Sequence, residues 1–354
     1  MPDLVRPAPE LDVDLLHGFA FECRPDCGLC CYAEPRVLAA ERSRLLQIAP
    51  EVRFVGEGPR QCLAGQGDGG ACQLLSGNRC RLHGARPHPC REFPLTAHVG
   101  DRLQATVVLS CPGVDLSVLG PTPGGQGSRE RPGFPAELAA LRERVDATSL
   151  RRLEASRRRR RKIVRTLTQD RRWEEEEDVR RALRNALPMP SDDQFPVVDP
   201  PSADDGLDLL PMFFDGRAAP VALAQGLGGW ELLELRPEGG VARSLGVLPP
   251  PDRLPAATPD AARLLRGYLG YWLRRDALFG AVHLAMVGSA NSGTVTEWVR
   301  SELEGIGALV LARAQVRAKL RRGTVDRLSA EDLLDGIRAT DQDLLDRDSW
   351  GDRL

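Results

Sequence analysis

The residues of this 354-residue chain best suited to chemistry are its nine cysteines, and all of them lie between Cys23 and Cys111. They run Cys23-x3-Cys27-x2-Cys30-Cys31, followed by Cys62, Cys72, Cys80, Cys90 and Cys111. A disulfide framework, zinc or an iron–sulfur centre would each gather thiols in this way. The odd count works against complete disulfide pairing. Met1 to Glu22, rich in Pro, Asp and Glu, contains no apolar signal segment. The chain therefore reads as cytoplasmic, a compartment where thiols stay reduced and are free to bind metal.

The dense loop has its own logic. Pro25 fixes one dihedral and Gly28 lets the backbone turn where a side chain would collide, so the loop can point several sulfurs inward. Adjacent Cys30 and Cys31 project in different directions, and structural zinc favours pairs separated by two to four residues. The Cys-Cys step therefore favours a polynuclear cluster, or two neighbouring sites, over one tetrahedral ion. Cys62 is the outlier of the nine.

A second signature follows: Cys72-Gln73-Leu74-Leu75, Cys80-Arg81-Leu82-His83, Arg86-Pro87 and Cys90-Arg91-Glu92-Phe93-Pro94. Thiolates around an iron–sulfur core leave a net negative charge that must be offset when buried. Arg86 and Arg91, on either side of Cys90, are placed to supply that offset. The competing reading pairs them with Glu92 or Asp101. His83 stands three residues after Cys80, a zinc-compatible spacing, against an ordinary packing or hydrogen-bonding role; His88 and His98 are weaker candidates.

Together the two signatures resemble the CxxCxxCC family, the YkgJ-type zinc- or iron-chelating cysteine cluster domain, over residues 21–115. Cys111-Pro112-Gly113 is similar to that family's closing cysteine, while the first spacing here is x3 rather than x2. The resemblance implies a metal or iron–sulfur module. With it, the expected ligands are Cys27, Cys30, Cys31, Cys72, Cys80 and Cys90, then Cys23 and Cys111. The expected cofactor is an iron–sulfur cluster of the 4Fe–4S type, with zinc as the alternative. Eight cysteines suit two four-cysteine sites, or one cluster with spare thiols. The same region is similar to the cysteine region of flagellin lysine methylases, which implies protein lysine methylation as a further alternative, with no catalytic residue assigned.

The elements that must position these residues can be read around them. Val37 to Ala49 has the apolar spacing of a short helix packed over the cysteine loop. Arg102 to Cys111, rich in Thr and Val, reads as a strand returning Cys111 to the cluster. Gly65 to Gly70 lacks the Lys-Ser/Thr of a phosphate loop. The expected organisation is a cysteine module over 1–120, a Gly/Pro linker over 121–134, a charged helical segment over 135–188, a linker over 189–210, and a small sheet plus helical bundle over 211–354. The expected fold class is α+β.

The charged segment holds Leu138, Leu141, Val145, Leu150 and Leu153 at near-helical spacing, then Arg157 to Lys162 and Trp173-Glu174-Glu175-Glu176-Glu177. Residues 129–186 carry 18 Arg or Lys against 11 Asp or Glu, and residues 191–260 carry 12 acids against 4 bases. Nucleic-acid contact and a solvated helix both follow from such a run. In the second reading Arg171 and Arg172 pair with Glu175 and Glu176. The opposed charges of the two segments also predict that they dock on each other.

Farther on, Met212–Phe214, Val221–Leu223, Trp230–Arg236 and Val241–Leu248 read as strands of an antiparallel sheet. Helices are expected from Asp260, over Val295–Arg321 and over Ala330–Leu345. The stripe Tyr268, Tyr271, Trp272 and Phe279 is core, or the lining of a ligand pocket. Ala277 to Ala290 is too short to cross a bilayer, which takes about 20 residues, so no membrane partner is expected. Neither a Gly-x-Gly-x-x-Gly at a strand–helix junction, nor HExxH, nor a Gly-x-Ser-x-Gly elbow occurs. Three classes of function stay open: a redox or methyl-transfer enzyme with an unidentified protein or small-molecule partner, a structural zinc module, and an RNA-associated factor.

Overall fold

A β-hairpin at the end of the cysteine-rich stretch is the strut on which the rest is hung. In the computed structural model its strands are β7 (Leu95–Val99) and β8 (Leu103–Val107), antiparallel, with Leu95 opposite Val107 and Val99 opposite Leu103. The model describes residues 10–24, 27–32, 37–57, 61–66, 71–77, 79–120, 133–145, 147–190, 213–214, 220–226, 229–236, 238, 241–248, 255–290, 292–323, 325–344 and 352–353.

Ahead of the hairpin come β1 (Leu11–Asp12), β2 (Ala20–Phe21), α1 (Arg42–Ile48), β3 (Phe54–Val55), β4 (Cys62–Leu63), β5 (Leu75–Ser76), β6 (Arg79–Cys80) and α2 (His88–Glu92). β9 (Val114–Asp115) follows it and pairs with β2. Then come α3 (Pro135–Arg144), α4 (Ala147–Gln169) and α5 (Glu176–Arg184). The antiparallel sheet β10 (Phe213–Phe214), β11 (Pro220–Gly226), β12 (Gly229–Leu235) and β13 (Val241–Leu248) comes next, its strands in sequence order as the alternating apolar pattern predicts. The chain closes with β14 (Ala256–Ala257), α6 (Pro259–Leu273), α7 (Asp276–Val287), α8 (Val295–Arg322), β15 (Arg327–Leu328), α9 (Ala330–Leu344) and β16 (Asp352–Arg353). A module of short strands followed by a mainly helical body is the expected α+β class.

β1 lies parallel to β8, and β16 antiparallel to β7, so the two ends of the chain flank the hairpin. All five residues of β8 are buried. Ala97, Ala105 and Val107 enter the main core, while Val99 and Leu103 pack against Val145 and Leu153. That main core runs on without a break into α6, α7, α8 and α9, where Leu264, Tyr268, Phe279, Leu303 and Ile337 have essentially no exposed surface. The aromatic stripe Tyr268, Tyr271, Trp272 and Phe279 belongs to this core. A second, smaller core joins Leu45 of α1 with Val37, Leu63, Leu74, Cys31 and Cys72. α1 thus covers the cysteine loop as its spacing predicts, although only one side of its apolar set is used: Leu46 and Ile48 stay exposed.

The helical body grips the hairpin through buried polar contacts. Tyr271 Oη accepts from Val107 N at 2.8 Å, Arg275 Nη2 donates to Val107 O at 3.0 Å, and Asp341 Oδ2 accepts from Leu109 N at 2.7 Å. Arg275 and Asp341 are themselves 3.4 Å apart and sealed from solvent. A buried pair like this adds little by itself, but losing one partner strands the other.

The charged segment differs from its expectation in one respect. Arg171 adopts a left-handed φ of 57° and ends α4, so the i,i+4 pairs with Glu175 and Glu176 do not form. Arg172 turns inward instead and donates to Met286 O at 3.1 Å, at the end of α7, and to Gly293 O at 3.3 Å, just before α8. Glu175 accepts from Trp173 Nε1, and Glu176 pairs with Arg160 and Arg180. An ion-pair chain then runs Asp12–Arg102–Asp276–Arg180–Glu176–Arg160. The basic segment also pairs with Asp101 and Glu92. Of the acidic stretch expected to dock on it, residues 191–212 lie outside the described residues, as do 121–132 of the first linker and 67–70 of the glycine loop. Among the described residues no helix is long and apolar enough to cross a membrane.

Candidate metal centre

Five backbone devices bring the cysteines toward one another. In the first loop Gly28 takes φ 62°, and Cys31 N donates to Gly28 O at 3.0 Å, winding Leu29–Tyr32 into a single tight turn. Cys72 N donates to Cys31 O at 2.7 Å, which ties the second signature to the first. The β5–β6 hairpin sets Leu75 opposite Cys80, and the Gln66 amide donates to Leu75 O at 2.6 Å beneath it. Pro87 caps α2, whose first turn carries Cys90. At the other side Glu22 N donates to Gly113 O at 3.0 Å. A Cβ at Gly113 would overlap the Glu22 carbonyl oxygen, so glycine there lets the Cys23 strand lie alongside the Cys111 turn.

The sulfurs reached in this way share one electrostatic neighbourhood. Cys31 interacts with both Cys30 and Cys80, and its single thiol hydrogen can serve either sulfur in turn. That holds Cys31 protonated far above the ordinary thiol range, lowers Cys30, and brings Cys80 down to about 6. Burial acts the other way on the neighbours: Cys72 is pushed up to about 11, and Cys90 well above its usual value, with Cys30, Cys72 and Cys80 adding repulsion. A second group meets the first at Cys30. Burial raises Cys23, Cys27 and, to about 12, Cys111, and each of the three also feels the Cys30 sulfur. Burial without a compensating charge disfavours a thiolate, whereas a hydrogen bond to it favours one. The Cys30–Cys31–Cys80 set therefore holds the two sulfurs readiest to ionise.

The charged residues around them divide. Arg86 is the cation that acts on Cys23, Cys30, Cys80 and Cys90 alike, and its Nε is buried without a hydrogen-bond partner. Arg91 lies 3.7 Å from Glu143 of α3, and its Nε too is buried without a hydrogen-bond partner. The alternative carboxylate partners are taken by other arginines: Glu92 lies 2.8 Å from Arg144, and Asp101 sits by Arg157 and Arg160. His83 Nε2 lies 3.9 Å from Cys23 Sγ. His88 pairs with Glu143 at 3.1 Å, and His98 is buried within β7. Cys62, on β4, pairs across to Val55 on a ribbon of its own.

Two residues near the sulfurs carry no sequence signal at all. Glu137 of α3 acts on Cys23 and is itself raised by burial. Arg338 of α9 acts with Cys27 and Cys111. Neither lies in a motif, and each reaches the site only because a helix distant in sequence packs there.

Residues 22–111 match the CxxCxxCC family model. Its description reads "Putative zinc- or iron-chelating domain". The matched span begins one residue before Cys23 and ends at Cys111, and so encloses all nine cysteines. No curated protein and no solved structure matches the chain. The match supports metal chelation, by zinc or iron, in the CxxCxxCC module. As donors the residues suit either metal: soft sulfurs predominate, one imidazole is adjacent, and a buried guanidinium nitrogen lacks a partner. Among the described residues no three His, Cys, Asp or Glu side chains are already closed into an ion cage. What the fold supplies is the gathering of the loops; the hydrogen-bonded thiols of Cys30, Cys31 and Cys80 would have to lose protons and turn to bind.

Proposed function

We propose that the CxxCxxCC module holds an iron–sulfur centre, of the 4Fe–4S type, within the group Cys27, Cys30, Cys31, Cys72, Cys80 and Cys90, with Cys23 and Cys111 beside it. The observation that carries the reading is the adjacent pair Cys30 and Cys31, which one tetrahedral ion rarely uses together, tied to the second signature by the 2.7 Å bond from Cys72 N to Cys31 O. A cluster spreads its iron atoms over a wider space and so can use sulfurs that one ion could not reach together. Bound there, it would supply one-electron storage. The residues do the rest. Cys31 passes its thiol proton away as the sulfurs ionise, Arg86 offsets the resulting charge, and Leu45, Leu63 and Leu74 keep water from the buried side.

Structural zinc is the second reading, favoured by the Cys23–His83 contact, since mixed sulfur and imidazole ligation is a zinc habit. Anaerobic purification followed by iron, acid-labile sulfide and zinc analysis separates the two. Iron and sulfide in equal amounts, with broad visible charge-transfer absorption, are expected. A colourless protein with stoichiometric zinc would overturn the iron–sulfur assignment.

A further inference from the structure

The cysteine module has a cationic neighbour that comes from the far end of the chain. Arg338 lies on α9, well outside the residues that match the cysteine-cluster family. Its Nε is buried and makes no hydrogen bond. Among the described residues no carboxylate forms an ion pair with it, in contrast to Arg317, Arg321 and Arg322 of α8, which all pair with acids of α9. A guanidinium taken out of water without a counter-charge is costly, so such a residue persists where an anion compensates it. The groups that favour its charge are the sulfurs of Cys111 and Cys27 and the carboxylate of Asp115; burial and the nearby Arg24 oppose it.

The position of Arg338 is fixed from both sides. Two residues before it, Gly336 lies so close to α8 that a Cβ would overlap the Val310 carbonyl oxygen. One residue after it, the Ala339 carbonyl accepts from Arg313 Nη1 at 2.7 Å. One helical turn after it, on the same face, Asp341 holds Leu109 N, two residues before Cys111. Sliding α9 by a residue would break all three contacts.

We propose that Arg338 is a positioning residue of the metal centre, its guanidinium offsetting the negative charge that the Cys27 and Cys111 sulfurs carry on metal and coupling the centre to the helical body. The inference rests on the metal-centre reading above and adds a residue that the cysteine motif does not contain. Metal-bound sulfurs are thiolates, so loading the centre adds negative charge beside the Asp115 carboxylate that already favours the guanidinium. Of the two proposed ligands, the Cys111 turn is held directly by α9 through Leu109. Occupancy of the centre and docking of α9 should then be linked.

The test uses the full chain, reconstituted anaerobically with ferrous iron and sulfide, and in parallel with zinc alone. Arg338→Met, Arg338→Lys and the exposed control Arg300→Gln are compared with the wild type by metal retained against EDTA, and, for the iron form, by midpoint potential. Arg338→Met should bind metal about tenfold more weakly, the low end for loss of a residue supporting metal ligands. Its midpoint should fall by about 59 mV if the oxidised-to-reduced ratio changes tenfold, because removing a cation disfavours the more negative reduced state. Arg338→Lys should restore most of both, and Arg300→Gln should change neither. Amide exchange over 333–341 in the wild type should slow when metal is added, a readout that needs no variant to fold. A wild type that retains neither metal sinks the metal-centre reading itself. A wild type that loads normally, with Arg338→Met at wild-type affinity and potential or with exchange in α9 indifferent to metal, sinks only the role of Arg338.

Discussion

The CxxCxxCC module and the helical body use buried surface in opposite ways. In the body, α6, α8 and α9 close around large side chains with essentially no exposure, among them Tyr268, Tyr271 and Phe279. Beside them Arg275 and Asp341 form a buried pair. In the module the separate core is small, and cysteines make up part of it. Its strands away from the β7–β8 hairpin are two residues long, and its sulfurs are held away from their ordinary ionisation in both directions. Burying an aliphatic side chain yields about 1.5–3 kcal/mol, so the body can stand on packing alone. Thiols that repel one another when ionised do not stabilise a loop; metal that binds them does. The contrast assigns stability to one region and chemistry to the other, joined at Val107–Cys111.

The strongest way to break that contrast is to remove the sulfurs readiest to ionise. Cys30→Ser with Cys80→Ser should abolish bound metal, measured by elemental analysis of the purified chain. Amide protection over 61–93 should collapse, while that of α6 and α8 persists. If α6 and α8 lose protection as well, the two regions are not separable and the contrast fails. The converse change comes next in size. Phe279→Ala, in the body, should lower unfolding free energy by about 3–5 kcal/mol, read by urea denaturation, and leave metal per folded chain unchanged.

How much of this was legible in the sequence follows the same division. Cysteine spacing is local and marks the module directly, and the strand stretches of β11 to β13 and the helix over Val295–Arg321 are equally local readings. Contacts between distant elements leave no such trace. Arg86 and Arg91 look equivalent on either side of Cys90, yet one reaches the sulfurs and the other turns to Glu143, because α3 packs against α2. Arg172 looked like a surface partner for Glu176, but a left-handed residue before it redirected the chain inward. Glu137 and Arg338 are ordinary helix residues until tertiary packing sets them beside thiols.

A smaller effect sharpens the body's side of the comparison. His283 has no exposed surface, stacks near Trp173 and Phe279, and is held at a pKa of about 3 by burial and by Arg160 and Arg180. Glu176 lies 4.0 Å from its ring, but those same arginines already occupy that carboxylate. The folded pKa is below the unfolded one, so the unfolded chain binds the extra proton first. Stability from neutral His283 is therefore complete above about pH 6.5 and is lost as pH falls toward 3. Between pH 7 and pH 4 the loss should be on the order of 3 kcal/mol. His283→Gln should remove that part of the slope in denaturation curves taken across this range. An unchanged slope would mean that the ring is hydrated and that this part of the body is less tightly closed than its geometry indicates.

The least effect is expected at Arg158 and Arg161, which point from α4 into solvent. They flank Arg160, which is bound to Glu176 and lies 5.5 Å from the Trp173 ring centre. The run thus holds anchored members, Arg157 and Arg160, beside the exposed Arg158 and Arg161. Converting Arg158 and Arg161 to Gln should shift stability by less than about 0.5 kcal/mol, whereas Arg160→Gln should cost more by leaving Glu176 and Arg180 to rearrange. Thermal melts of the double variant and of Arg160→Gln test this ranking. The same proteins report on a partner: if the run is simply a solvated face, the 260/280 nm absorbance ratio of the purified double variant will equal that of the wild type. A wild type that carries nucleic acid and a double variant that does not would instead make the exposed face of α4 an RNA-binding surface, moving part of the protein's chemistry out of the cysteine module.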